Sequence, residues 1–246
     1  MDEPAQARAA ANRLAAALPD QSLDVALAEI LASIVVTAFD PIDPLVDALI
    51  RTPCAESVGL LAAIAAIADP HSATAAGGGI ELLTSTGVST PTWSAVAGTA
   101  LPDEARLADY RHGAALAVRW RHGDGSSHIM FNVMEDEQIT EIRFLEGDLF
   151  DVIEQSPSLT HFTLTDVALP AATEFLDGAL ARPIQGDDRT WHNAPLARVR
   201  FATLGVTRQA RFVVPGPRDP DDYSLAAMGI DLLKDNRHTP WSGPLW

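Results

Sequence analysis

The stretch that decides the fold runs Ala114-Ala-Leu-Ala-Val-Arg-Trp120-Arg121, His122-Gly-Asp-Gly-Ser126, Ser127-His-Ile-Met-Phe-Asn-Val-Met134, Glu135-Asp-Glu-Gln138, Ile139-Thr-Glu-Ile-Arg-Phe-Leu145. Three apolar runs of strand length are separated by turn residues, which predicts an antiparallel meander. Pairing Trp120 with Ile129 sets Val118 against Phe131 and Leu116 against Val133. Across the next turn it sets Phe131 against Ile142 and Ile129 against Phe144. Side chains alternate along a strand, so this register predicts one buried face carrying Trp120, Ile129, Phe131, Ile142 and Phe144. The opposite face then carries Arg119, Arg121, His128, Met130, Asn132, Glu141 and Arg143.

N-terminal to the meander, punctuation predicts helices over residues 5–17, 23–38, 44–51 and 55–68, separated by Pro-Asp-Gln, Asp-Pro-Ile-Asp-Pro, Thr-Pro-Cys and Asp-Pro-His. Asp43 precedes Pro44 and is expected to cap its helix. Ser72–Gly79 is rich in Ala and Gly and ends in three glycines ahead of Ile80, which reads as a flexible link. It lacks the preceding strand and following Lys of a phosphate loop. Thr90-Pro91 opens a short helix carrying Trp93, and Gly147 begins a helix through Glu154. C-terminal to these come a strand over His161–Val167, a helix from Leu169 or Pro170 to about Ala181, and a last helix over Tyr223–Lys234. Residues 195–214 fit either helix or strands. The expected class is α+β, an N-terminal helical bundle followed by an antiparallel β-meander packed with helices. The expected divisions are 1–71 helical, 72–86 link and short helix, 87–181 meander with flanking helices, and 182–246 an Arg-rich segment with C-terminal helix and tail.

At 246 residues, 47% of them hydrophobic, the chain is long enough to bury a sizeable core. Its formal charge of −16 disfavours nonspecific contact with nucleic acid or anionic membranes. Lys234 is the only lysine, which removes Walker-loop, Ser-x-x-Lys and Schiff-base chemistry. Cys54 is the only cysteine, so neither an intrachain disulfide nor a Cys-rich zinc module can form. The acidic start Met-Asp-Glu-Pro lacks the basic region of a secretory signal, and a cytoplasmic location is expected. The apolar runs Ile30–Phe39 and Val58–Ala68 are too short to span a bilayer.

Four constellations carry potential chemistry. His122-Gly-Asp124-Gly-Ser-Ser-His128, with His112 upstream, offers imidazole and carboxylate ligands suited to a divalent metal. The bland account is a hairpin turn built on Asp-Gly. Glu135, Asp136, Glu137, Glu141, Glu146, Asp148, Asp151 and Glu154 form an acidic run able to hold Mg²⁺ or supply a general acid and base, though negative charge there also suits a solvated edge. Arg182–Arg211 holds six arginines, Arg198 and Arg200 among them, which could bind an acidic partner or face the chain's own carboxylates. His192 in Asp188-Arg-Thr-Trp-His-Asn193 could act as a base, while Asn193 ahead of Pro195 suits a helix cap.

Residues 87–154 resemble part of an uncharacterised group of actinobacterial proteins. The resemblance rests on Gly87-Val88, Pro91-x-Trp93, Gly98, Asn132-Val133 and Phe150-Asp151, and it implies no activity. The reading that follows is a cytoplasmic, non-catalytic binding or regulatory protein acting through protein contacts, with a protein partner or a second copy and no cofactor. Contact residues are Arg198, Arg200 and the tail residues Trp241, Leu245 and Trp246, whose indoles would be costly to leave in water. One alternative is a metal-assisted hydrolase using His122, Asp124 and His128, with His112 or His161 as a further ligand. Another is an acidic mimic that occupies the nucleic-acid surface of a basic partner.

Overall fold

The structure, a computed structural model, describes residues 3–39, 41–110, 113–146, 164–186 and 188–213. The helices expected at Gly147–Glu154 and Tyr223–Lys234, His112, His161 and the Trp241–Trp246 tail lie outside these. The fold is α+β: helices, five of them N-terminal, and a five-stranded antiparallel sheet.

Helices α1 (Glu3–Ala17), α2 (Val25–Ala38), α3 (Asp43–Arg51), α4 (Ala55–Ile67) and α5 (Pro70–Ser85) form the N-terminal layer. Four of them fall where Pro and Asp punctuation places them. The cap on α3 differs: Ile42 occupies the capping position without a side-chain bond, and Asp43 sits in the first turn, where its charge still complements the helix dipole. The expected link at 72–79 is instead the interior of α5. Asp69 caps that helix by accepting from His71 N and Ser72 N, and Pro70 fills the first turn, so a strong start signal overrides the cost of three glycines. The glycines also serve packing. A Cβ on Gly79 would lie 3.0 Å from Leu61 Cδ1, and one on Gly59 would lie 2.7 Å from the ring of Trp93. Trp93 belongs to a 3₁₀ turn, Thr92–Val96, that seats its indole against α4.

The sheet has the order β4-β3-β2-β1-β5, with β1 Leu101–Tyr110, β2 Gly113–Arg121, β3 Ser127–Glu135, β4 Gln138–Glu146 and β5 Leu164–Val167. The meander is present, but its register is one residue away from expectation. Trp120 pairs with His128, Val118 with Met130 and Leu116 with Asn132. The β2–β3 loop closes tightly, with His122 N donating to Ser126 O at 2.9 Å and Gly125 at φ +92°. At the other hairpin Asp136 and Glu137 turn with positive φ, and Glu135 pairs with Gln138 as the acidic turn predicts. A bulge between Val133 and Met134 then moves the register by one, so that Met130 meets Phe144 and Asn132 meets Ile142.

A one-residue slip exchanges the faces of a strand. His128, Met130 and Asn132 therefore join Trp120, Ile142 and Phe144 on the helix-covered face, while Ile129 and Phe131 turn to the other side. That other side is not a plain polar surface. Ala115, Ala117, Ile129 and Val133 are buried there and Phe131 packs on Ala117 and Ile129, beneath ion pairs of Arg119 with Asp103 (2.9 Å) and Glu104 (2.7 Å). With apolar residues on both faces of β2 and β3, alternation alone could not choose the register.

C-terminal helices close the inner face: α6 (Leu169–Ala179), α7 (Asp188–His192) and α8 (Ala194–Leu204). Residues 195–204 are thus helical, and Phe212 beyond them makes an isolated parallel bridge with Ile184. Side chains and backbone of the 185–193 segment bond the outer edge of β4: Gln185 N donates to Ile139 O, Ile142 N to Thr190 Oγ1, and Asn193 Nδ2 to Ile142 O. Asn193 occupies the capping position of α8, yet its side chain is spent on that edge rather than on a cap. No helix among the described residues is long and apolar enough to cross a membrane.

Candidate functional site

The centre of α2 is apolar all round except for a polar stripe at four-residue spacing, Glu29, Ser33 and Thr37, which a helix places on one side. Ser33 Oγ donates to His192 O at 2.9 Å and accepts from Leu196 N, and Thr37 Oγ1 lies 2.6 Å from His192 Nδ1. These bonds dock α2 onto α7 and α8. Glu29 begins a second, charged junction. Its Oε1 accepts from Gly98 N at 2.6 Å, and its Oε2 accepts from Arg200 Nη2. Gly98 has φ +79°, and a Cβ there would crowd Ala66 at 3.0 Å, so the close approach of this N–H requires glycine.

Arg200 comes from α8. Two residues apart on a helix means nearly opposite directions, which is why Arg198 is exposed, with its guanidinium 5.0 Å from the Phe212 ring, while Arg200 is 0% exposed. Arg200 stacks on Trp120 at 5.2 Å and its Nε donates to His128 Nε2 at 3.1 Å. His128 Nδ1 lies 3.1 Å from His122 Nε2, which in turn stands 3.7 Å from Glu29 Oε2. Trp120 and His128 share the inner face because of the observed register, and His122 follows β2 by one residue into the loop.

The donors fix the order of protons along this chain. A guanidinium can only donate, so His128 Nε2 accepts; a neutral imidazole accepting there carries its proton on Nδ1 and gives it to His122 Nε2; His122 is then protonated on Nδ1. Both rings are held neutral. Burial and, after it, the Arg200 charge push the pKa of His122 down to about 4 from 6.5, against a smaller upward pull from Asp124. The same two causes, with His122 as a third, hold His128 well below its ordinary value. Burial raises the Glu29 carboxyl despite the opposing Arg200 charge, and it lowers Arg200.

The structure brings together two of the residues expected to hold a metal, His122 and His128, and replaces the third. Asp124 is exposed and turned into its own hairpin, accepting from Ser126 N at 3.0 Å and Ser126 Oγ at 2.8 Å. Glu29 supplies the carboxylate instead, and ligand atoms of Glu29, His122 and His128 all fall within 4.8 Å of one another. Arg200, expected on a contact surface, is interior. The Arg-rich segment does face the chain's own acidic turn at one point, where Arg182 Nη1 donates to Asp136 O and lies near Glu137. His192 is buried against Thr37 and carries no open face for a ligand. Glu29 was the legible clue missed: a single acid inside an apolar helix of burial length needs a partner, though the sequence does not say which one.

Chemically, the cluster is a closed joint. Glu29, His122, His128 and Arg200 are each no more than 3% exposed, so substrate cannot reach them in this conformation. Three of the buried side-chain atoms without a hydrogen-bond partner, Trp120 Nε1, His122 Nδ1 and Arg200 Nη1, border this knot. Comparison of the chain with protein-family models, with curated proteins and with solved structures returns no match.

Proposed function

We propose that this chain is a non-catalytic cytoplasmic protein that binds or regulates a protein partner through its surface. The observation that supports this reading is the use to which its best acid–base residues are put. Glu29, His122, His128 and Arg200 are sealed between α2, the β2–β3 hairpin and α8, where they join the helical layer to the sheet. A hydrolase would need at least one of them to meet water and substrate. Contact chemistry falls instead to exposed groups such as Arg198 on α8, with Trp241 and Trp246 of the C-terminal tail, outside the described residues, as the further candidates offered by the sequence.

Affinity capture from native lysate with the intact chain tests the reading, run beside Arg198→Glu and a deletion of His238–Trp246. A protein retained by the intact chain and lost with either change is the expected outcome. Hydrolytic turnover that vanishes in a folded His122→Gln variant would replace this reading with the metal-assisted hydrolase.

A further inference from the structure

We propose that Arg200 is the residue that keeps a three-ligand transition-metal site closed. Glu29, His122 and His128 bring one ligand atom each within 4.8 Å of one another, and two of the three separations are close to those that a tetrahedral ion requires. Zinc–nitrogen bonds of about 2.0–2.1 Å place two ligands on one ion about 3.3 Å apart. His128 Nδ1 and His122 Nε2 are 3.1 Å apart, and His122 Nε2 and Glu29 Oε2 are 3.7 Å apart. The donor set of two imidazoles and a carboxylate suits zinc or a neighbouring first-row cation.

Two features of Arg200 bar that ion. First, a neutral imidazole has one free lone pair. Because Arg200 Nε donates to His128 Nε2, that lone pair is engaged and the ligand-side atom Nδ1 bears the proton. A metal-bound histidine normally has the reverse arrangement, its outer nitrogen donating to an acceptor. Second, the guanidinium already neutralises Glu29. A divalent ion added beside it would leave a net double positive charge in a fully buried setting, where uncompensated charge is costly. The guanidinium is thus the resident cation of the cluster.

Glutamine at position 200 reverses the polarity with little change in reach. Its amide oxygen and nitrogen end where Arg200 Nε sits, so the oxygen can accept from His128 Nε2–H. The proton then moves off Nδ1, which leaves lone pairs on both His128 Nδ1 and His122 Nε2 for an ion shared with Glu29. The experiment compares untagged wild type, Arg200→Gln, and Arg200→Gln with His128→Ala, each dialysed against zinc and then against buffer. Expected are no bound zinc and a zinc-independent Tm for wild type, about one equivalent of zinc and a Tm that rises with zinc for Arg200→Gln, and loss of both in the double variant. Zinc retained by wild type, or a folded Arg200→Gln that retains none, overturns the proposal. Imidazole ¹⁵N shifts of wild type decide the matter even if the variant does not fold. A proton on Nδ1 of His128 is required, and a proton on Nε2 refutes the mechanism.

Discussion

Cutting the Glu29–Arg200 pair from one side should be far worse than removing it whole. In Glu29→Leu the guanidinium stays in the interior without its carboxylate, at a cost of about 3–5 kcal/mol. Gly98 N–H also loses its acceptor, which puts the total toward the top of that range. In Arg200→Met the stranded Glu29 can take up a proton, a route its raised pKa already favours. Neutralising a carboxyl with an ordinary pKa of 4.5 at pH 7 costs about 3 kcal/mol, which caps the electrostatic part of the loss. The double variant Glu29→Leu, Arg200→Met leaves no unpaired charge, only the orphaned Gly98 N–H and His128 Nε2 at about 1–3 kcal/mol each, losses that the respective single variants already carry and that cancel in the cycle. The two changes should therefore fall short of additivity by at least ~3 kcal/mol. Guanidinium chloride unfolding at pH 7, followed by tryptophan fluorescence, measures all four corners of the cycle, and each single variant should also lose about 10 °C in Tm. Additivity within about 0.5 kcal/mol would refute the claim that these side chains form one unit.

Acidification should destabilise the fold before its surface carboxylates protonate. His122 has a lower pKa folded than unfolded, so between about 4 and 6.5 the unfolded chain binds more protons and stability falls as pH drops. The depression is worth up to about 3 kcal/mol, His128 acts in the same direction, and the raised Glu29 opposes both above its ordinary value. Unfolding midpoints from pH 7 to pH 4 should show this slope, and His122→Gln should reduce it; an unchanged slope counts against a neutral buried His122. Within α5, Gly77→Ala and Gly78→Ala meet open space and should each stabilise by about 0.5–1 kcal/mol, an effect that a flexible link would not show. Gly59→Ala should instead cost about 1–3 kcal/mol and alter the near-UV signal of Trp93, since its Cβ would overlap that ring. Asn132→Ala should prove more damaging than its polar character suggests, because Asn132 is 0% exposed and donates to Leu116 O at 3.2 Å. The half-buried Phe131 should cost less on truncation than a core phenylalanine, and the reverse ranking in urea melts would argue for the other register.

The sequence by itself determined the class and most of the element order. Asp-Pro and Thr-Pro punctuation marks the N-terminal helices, and the turns at His122–Ser126 and Glu135–Gln138 join three of the sheet's strands, because caps and turns are local chemistry within a few residues. It also brought His122 and His128 forward as a pair. Other local signals were open to misreading. The three glycines of α5 suggested a link, although Asp69-Pro70 announces a helix. Strand β1 was missed, since Leu101–Tyr110 carries mixed polar residues on both sides of its pleat. Tertiary structure alone decided the register, because β2 and β3 are apolar on both faces and a bulge shifts β4 by one residue. That single step turned His128 inward and Phe131 outward. It also decided which carboxylate meets the histidines. Asp124 is two residues from His122 yet points to solvent, whereas Glu29 and Arg200 meet across 171 positions of chain. No spacing rule spans that separation; only the packing of α2 against α8 over the inner face of the sheet brings a carboxylate, a guanidinium and two imidazoles into the same dry space.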